Sequence, residues 1–313
     1  MLMFVLRRIG AGIVLLFVIS SVTFILLYVG SGDIARNILG QQATQEDVAL
    51  KKEQLGLNRP LLTQYFDWLG NALHGDLGSS WFTGEEVTSG ITSRVAVTLS
   101  LVIGAIVVTA LIATVLGVWA AVRHGWVDKV VQAVTILGFA IPGFLIAVGL
   151  VLVFAINLQW FDPTGYISFT DDPTGWLKTV TLPVVALAIG GIASVANQVR
   201  GSVTDVLRRD YVRTLRSRGL PFNRVVFKHA LRNAGSPALA VLGVQFVGLL
   251  GGAVIVERVF AIPGLGDIAV GATSQGDVPM VMGLVVAIAT IVVVVNLIID
   301  LLQGWLNPKV RLS

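Results

Sequence analysis

The stretch IGAGIVLLFVISSVTFILLYVG (residues 9–30) contains no Asp, Glu, Lys, Arg or His. A helix crossing hydrocarbon needs about 20 mainly apolar residues, and it must pair its own backbone groups because no water reaches them there. This stretch meets that need. Arg7 and Arg8 stand directly before it. Its apolar core exceeds the ~7–15 residues of a signal peptide and no small-x-small cleavage site follows, so it reads as a membrane anchor and not a cleaved leader. Five further stretches of the same kind follow, at roughly residues 95–122, 130–157, 179–198, 237–256 and 280–303. The fourth is the weakest, because it carries Pro183 and the Gly190–Gly191 pair. Over all 313 residues, 55% are hydrophobic, 13% are charged and the mean hydropathy is +0.84. An ordinary soluble domain has about a quarter charged residues. The expected fold is therefore an all-α integral membrane protein with six transmembrane helices.

Charge placement orients these spans. With the N-terminus in the cytoplasm, roughly two in three of the 22 Lys and Arg residues fall on the inner side, which by the positive-inside rule puts both termini in the cytoplasm. The basic pI near 9.6 is thereby a topological signal, and nucleic acid is not an expected partner. The chain has no Cys, which removes disulfides, thiolate metal sites and cysteine nucleophiles. No Lys follows a Gly, so there is no P-loop to cradle phosphates. His74, His124 and His229 are far apart in sequence and lack the spacing of a zinc site. No enzyme activity, metal or bound cofactor is expected of this chain.

Within the spans Asp300 is nearly alone as an ionisable group, at the inner end of the last one. Ion-coupled carriers place charged relays at mid-depth, so a stand-alone secondary transporter or channel is the weaker reading. Asn197, Gln198, Gln245 and Asn296 are the polar positions available to line a pathway, with helix-to-helix hydrogen bonding as their competing role. Gly248 and Gly252 are spaced for close helix packing.

Residues 31–94 form an external cap between the first two spans. Thr44-Gln45-Glu46-Asp47 has the pattern of a helix start, Gly56 and Pro60 mark a stop, and residues 61–73 keep Leu62, Tyr65, Phe66 and Leu69 at helical spacing. On the same side, Glu257 and Arg258 precede the Pro263–Gly264 turn, which suits a gate over the pathway mouth. On the cytoplasmic side, in residues 199–236, the run DYVRTLRSRG (210–219) puts Leu207, Tyr211 and Leu215 on one face with Arg209, Arg213 and Arg216 off it, and Gly219 suits a helix C-cap. Pro221 then suits the first turn of a second helix, PFNRVVFKHALRNA, which ends before Pro237. The loop is thus expected to hold two short helices with an elbow at Gly219-Leu220-Pro221.

The stretch DYVRTLRSRGLPFNRVVFKHALRNAGSP resembles the EAA loop of binding-protein-dependent permeases of the dipeptide/oligopeptide/nickel group, with Gly219 as its glycine. The start FVLRRIGAGIVLLFVISSVTFILL, the run LGLNRPLLTQYFDWLGNALHGDLGSS, the loop VERVFAIPGLG and the tail NPKVRLS are similar to the B-type subunit of that group, in the same order over nearly the whole chain. Leu215, Pro221 and the Gly235–Ser236 pair depart from its usual Ala, Ser and Leu–Leu.

The resemblance implies a subunit of an ATP-driven (ABC) importer in the bacterial plasma membrane. Residues 1–30 would be its N-terminal helix, 31–94 the cap, 95–306 the permease core and 307–313 a cytoplasmic tail. It further implies a second, non-identical permease subunit, cytoplasmic ATPase subunits that hold ATP and Mg, and an external binding protein. Residues 41–80 and 257–277, on the side opposite the basic loops, are expected to form part of the surface that receives it, with a passive cap as their competing role. Short peptides are the implied cargo, with nickel complexes, heme or another solute as alternatives. Coupling to the ATPase falls to Arg213, Thr214, Leu215, Arg216, Ser217, Arg218, Gly219, Leu220 and Pro221. Leu215 and Leu220 are expected to be buried in a groove of the ATPase, with Arg216 and Arg218 at its rim.

Overall fold

The computed structural model describes residues 2–30, 34–40, 42–123 and 125–306, so His124 and the tail at 307–313 lie outside the described residues. Among the described residues every named element is helical. In order these are α1 (Leu2–Gly30), α2 (Ile34–Leu39), α3 (Gln45–Gln54), α4 (Leu61–Leu73), α5 (Val87–Val122), α6 (Trp126–Ala140) and α7 (Gly143–Leu150). A π-helical stretch, Val151–Asn157, extends α7. Then come α8 (Pro173–Leu207), α9 (Asp210–Ser217), α10 (Phe222–Arg224), the π-helical Val225–Ala230, α11 (Leu231–Val259), α12 (Leu265–Gln275) and α13 (Val278–Leu306).

Among the described residues, five helical segments are long and apolar enough to cross a membrane: Val5–Tyr28, Val87–Val122, Pro173–Leu207, Phe222–Val259 and Val278–Leu306. The sixth expected span, 130–157, is not one continuous helix. It breaks after Ala140 and bends by 93°. Ile141, before Pro142, is extended at φ −91°, ψ 121°, because the proline ring crowds the preceding residue out of the α region. The Pro142 carbonyl then receives the Leu145 amide at 2.9 Å and starts α7.

The span expected to be weakest is instead the most enclosed. In α8, 67% of the apolar window is buried, against 17% in α1. A helix surrounded by protein does not need a fully apolar face, which accounts for the lower hydropathy read from its sequence. Pro183 is buried within α8 without ending it. At its start, Asp172 accepts from the Thr174 hydroxyl at 2.7 Å and the Thr174 amide at 2.9 Å. These bonds, the hydroxyl first, hold the Asp172 carboxyl below its usual range.

The chain divides into two compact units. One comprises Thr98–Ile262 with the end of α13 from Val294, and the other Val5–Val97 with Pro263–Val293. In the first, α8 packs against α11, α6 and α7. Close approach is licensed by glycine: a methyl on Gly117 would meet the Ala196 carbonyl oxygen at 2.7 Å, and one on Gly104 would meet Val184 at 2.9 Å. Gly248, expected to serve this purpose, has open space beside it, and Gly252 meets only Leu187 at 3.7 Å.

In the second unit the expected helix start is a full capping box. Thr44 Oγ1 accepts from the Asp47 amide at 3.2 Å and Asp47 Oδ2 from the Thr44 amide at 3.3 Å. Gly56, at φ +68°, follows the end of α3. Phe24, Tyr65 and Met282 form one core, and Val87, Ile91, Leu265, Met280, Val281 and Leu284 form another. Buried Asp277 accepts from the Ser80 hydroxyl and from the Trp81 amide at 3.2 Å, tying the turn before α5 to the start of α13.

The glycine contacts make a paired prediction. Gly117→Val drives a branched side chain into a backbone oxygen that cannot swing away, and we expect a loss of about 2 kcal/mol or more in detergent-purified protein, read as a lowered thermal midpoint. Gly248→Val, facing open space, should leave that midpoint nearly unchanged.

Candidate coupling site

The first helix of the expected elbow is present as α9. Arg218 closes it by returning its amide to Thr214 at 3.1 Å, and Gly219 adopts φ +81°, the left-handed conformation that a side chain disfavours. The Gly219 amide reaches the Arg216 carbonyl at 2.9 Å and the Leu220 amide the Leu215 carbonyl at 3.3 Å, which satisfies carbonyls that a helix end leaves open.

The second helix departs from expectation. It does not stop before Pro237 but runs from Phe222 through the π-helical turn and Pro237 to Val259. The proline withdraws one amide, and the rest of the ladder on both sides carries the helix past it. Asn233 bonds the His229 carbonyl at 2.8 Å and the Tyr211 hydroxyl at 3.2 Å, so the segment before Pro237 is fastened both to itself and to α9.

The faces of α9 are also reassigned. Val212 is buried, and Leu215 and Leu220 are half-buried against the same core as Val203, Val206, Val225 and Ala230. The apolar face is thus taken up by the chain's own spans. Arg213, Thr214, Arg216, Ser217, Arg218, Gly219 and Pro221 are exposed. The Arg216 guanidinium sits 5.6 Å from the centre of the Phe222 ring. The Arg213–Asp210 pair, at 3.7 Å with both side chains over 80% exposed, adds little stability. A methyl on Gly219 would touch nothing within 4 Å, so its neighbourhood opens outward.

The three pathway candidates are not joined. Gln245 is half-buried, and a methyl on Gly191 would meet its Nε2 and Thr109 Oγ1 at 3.1 Å. Asn197 is exposed, with Nδ2 3.4 Å from Thr135 Oγ1, and Asn296 is exposed on α13. Among the described residues no hydrogen bond links these three to one another. Of the candidate gate residues, Arg258 and Pro263 are exposed, whereas Glu257 is fully buried and Gly264 is buried. Glu257 accepts from the Thr98 hydroxyl at 2.5 Å.

One pair was missed by the sequence reading. Arg200 of α8 grips Asp128 of α6 through two guanidinium nitrogens, Nη2 to Oδ2 at 2.5 Å and Nε to Oδ1. Gln132 adds a bond to the same carboxylate at 3.1 Å. The available signal was opposite charge in two loops assigned to one side of the membrane, but pairing across 72 residues is not encoded locally.

With this geometry, the chain is an all-helical, membrane-spanning protein carrying an anchored basic elbow. Residues 113–312 match the family described as binding-protein-dependent transport system inner membrane component, and residues 1–102 match its N-terminal counterpart. The chain belongs to that family. It is 36% identical over 308 residues to a peptide transport system permease protein of Brucella abortus strain 2308, covering 98% of each chain. It is 35% identical over 312 residues to the glutathione transport system permease protein GsiC of Escherichia coli O6:H1, covering 99% of each. Among solved structures, a chain of the inward-facing MetNI methionine ABC transporter shares the fold, with a TM-score of 0.52 at 17% identity over 68% of this chain and 92% of that one.

The Asp128–Arg200 pair generates a second prediction. Its side chains are only 16% and 31% exposed, so removing one member leaves the other without this opposing charge. Asp128→Ala and Arg200→Ala should each cost about 1–3 kcal/mol in thermal stability, and the double variant should cost no more than the worse single one.

Proposed function

We propose that this chain is one of two non-identical membrane subunits of an ATP-driven importer that carries short peptides from an external binding protein into the bacterial cytoplasm. Both termini and the α9 elbow face the cytoplasm, and ATP and Mg are held by partner ATPase subunits. The observation that carries this reading is the elbow itself. Val212, Leu215 and Leu220 root it in the core of the spans while Arg213, Arg216 and Arg218 stand clear. An element fixed on one face to the helices and open on the other has the form of a connector between a membrane pathway and a soluble partner. The docking surface is therefore the exposed Arg213-Thr214-Arg216-Ser217-Arg218 crown with Gly219 and Pro221, and not Leu215 or Leu220.

Peptide cargo is supported by the names of the relatives, one a peptide permease and one a permease for glutathione, itself a tripeptide. Nickel as a bare ion is disfavoured, because the chain has no Cys and the spans hold a single His, His229, near the start of Phe222–Val259, too few to replace its ligands. On the external side, residues 41–80 with the exposed Pro263 and Asp267 form part of the surface that receives the binding protein. Cysteine-directed crosslinking from position 267 should capture it.

The coupling claim has a direct test. Gly219→Trp adds a large side chain at a position where a Cβ meets open space, and strain of about 1 kcal/mol from the left-handed backbone leaves the spans folded. Membrane insertion should be retained while uptake of labelled di- to tetrapeptides falls to background, by loss of the ATPase on co-purification or by uncoupled hydrolysis. Arg218→Glu should reduce uptake less completely, since an exposed charge is screened by solvent. Wild-type uptake with Gly219→Trp overturns the coupling role, whereas normal peptide uptake on deletion of the gene, with another solute lost, overturns only the cargo.

A further inference from the structure

We propose that α4 is not wholly external but lies within the outer leaflet, where Leu62, Phe66 and Leu73 contact lipid acyl chains. The depth follows from what α4 touches. The Tyr65 hydroxyl is within 2.9 Å of Ser20 Oγ and receives a bond of 2.9 Å from Ser21 Oγ, and its ring packs 5.4 Å from Phe24 and 6.2 Å from Phe17. All four partners belong to α1, whose apolar span runs from Val5 to Tyr28. At a rise of 1.5 Å per residue, Ser20 lies about 12 Å short of the Tyr28 end. Ile25 and Leu26, closer to that end than Ser20, are 49% and 66% exposed. Large apolar side chains exposed on a transmembrane helix require hydrocarbon at least to their own level, so Tyr65 sits deeper than the hydrocarbon boundary.

The faces of α4 agree with that depth. On a helical wheel its apolar residues fill nearly half the circumference, and Thr63, Gln64, Asp67 and Asn71 fill the opposite arc. Only half of the apolar arc is used within the chain: Leu61, Tyr65, Trp68 and Leu69 pack in the Phe24–Met282 core. The other half, Leu62, Phe66 and Leu73, is 67%, 56% and 80% exposed. This stripe is continuous with the surface of α1. Phe17, itself 48% exposed, meets Tyr65, whose ring centre is 5.5 Å from that of Phe66. The polar arc is engaged elsewhere, with Asp67 paired to Arg59 at 2.5 Å and Gln64 Nε2 donating to the Arg59 carbonyl at 2.8 Å. An amphipathic helix with its apolar arc at acyl depth and its polar arc turned away is the arrangement that a bilayer interface stabilises.

Because the chain has no Cys, each single-cysteine variant places one label on this chain, and the complex with the unsubstituted chain gives the background from its partners. Leu62→Cys, Phe66→Cys and Leu73→Cys, with Thr63→Cys and Asn71→Cys on the opposite arc, would carry nitroxide labels in the full chain, purified with its co-expressed subunits and reconstituted in phospholipid bilayers. Collision rates with oxygen, which partitions into lipid, and with a neutral water-soluble nickel chelate give the environment of each label. The expected result is a several-fold preference for oxygen at 62, 66 and 73 and the reverse at 63 and 71. A preference for the chelate at 62 and 66 would place the stripe in water, in a pathway or under the binding protein, and overturn the proposal. Exclusion of both reagents would place it against a second protein subunit and also overturn it. Should the label at Phe66 lower the yield of folded protein, Leu62 and Leu73, the two more exposed positions, give the same reading alone.

Discussion

In hydrocarbon there is no solvent to accept a stray backbone hydrogen bond, and the rest of this structure follows from that constraint. It makes the crossing segments helical, and it decides where a break is permitted. The Ile141–Pro142 interruption is closed at once by the Pro142 carbonyl, which restarts the ladder for α7. Pro183 and Pro237 each remove one amide without ending their helices, because the flanking turns remain intact. Lipid solvates apolar side chains as well as a protein core does, so helix contacts rest on shape instead of hydrophobicity. Gly104 and Gly117 let α5 and α8 approach to backbone distance, and α8 becomes the buried centre of its unit.

The same constraint explains which parts of the fold were legible. Length and hydropathy are local properties, and the places of the long apolar spans could be read from them. So could the Thr44 capping box and the left-handed Gly219, where a few adjacent residues carry the whole interaction. The 93° bend at Pro142 escaped because hydropathy averages over a window and does not register one residue's dihedral angles. The continuation of α10 through Pro237 escaped for the opposite reason. A proline is a strong local stop signal, but it removes only one amide, and the hydrogen-bonded turns on both sides carry the helix past it.

On α9 the pattern of apolar and basic positions was legible, but the direction each face takes was not. The apolar positions of α9 are plain in the sequence, yet nothing local says whether Leu215 and Leu220 face a partner or the chain's own core. The structure gives them to the core and leaves the arginines outward. Glu257 shows the same limit, since a carboxylate in an apparent loop proves fully buried against Thr98. The bidentate Arg200–Asp128 clasp was invisible because its halves are 72 residues apart and only the packing of α6 on α8 brings them together.

The uninterrupted helix from Phe222 to Val259 carries a mechanical consequence. Its 38 residues span about 55 Å, with the elbow at one end and the Glu257–Thr98 contact at the other. For a rod of that length, a tilt of about 5° around one end sweeps the far end through about 5 Å, close to one helical turn. A displacement too small to unseat Val212 or Leu215 from their pockets would thus arrive at the opposite membrane surface as a motion large enough to change which side chains meet there. Two short helices separated by a flexible joint at Pro237 would absorb the same tilt and deliver none of it.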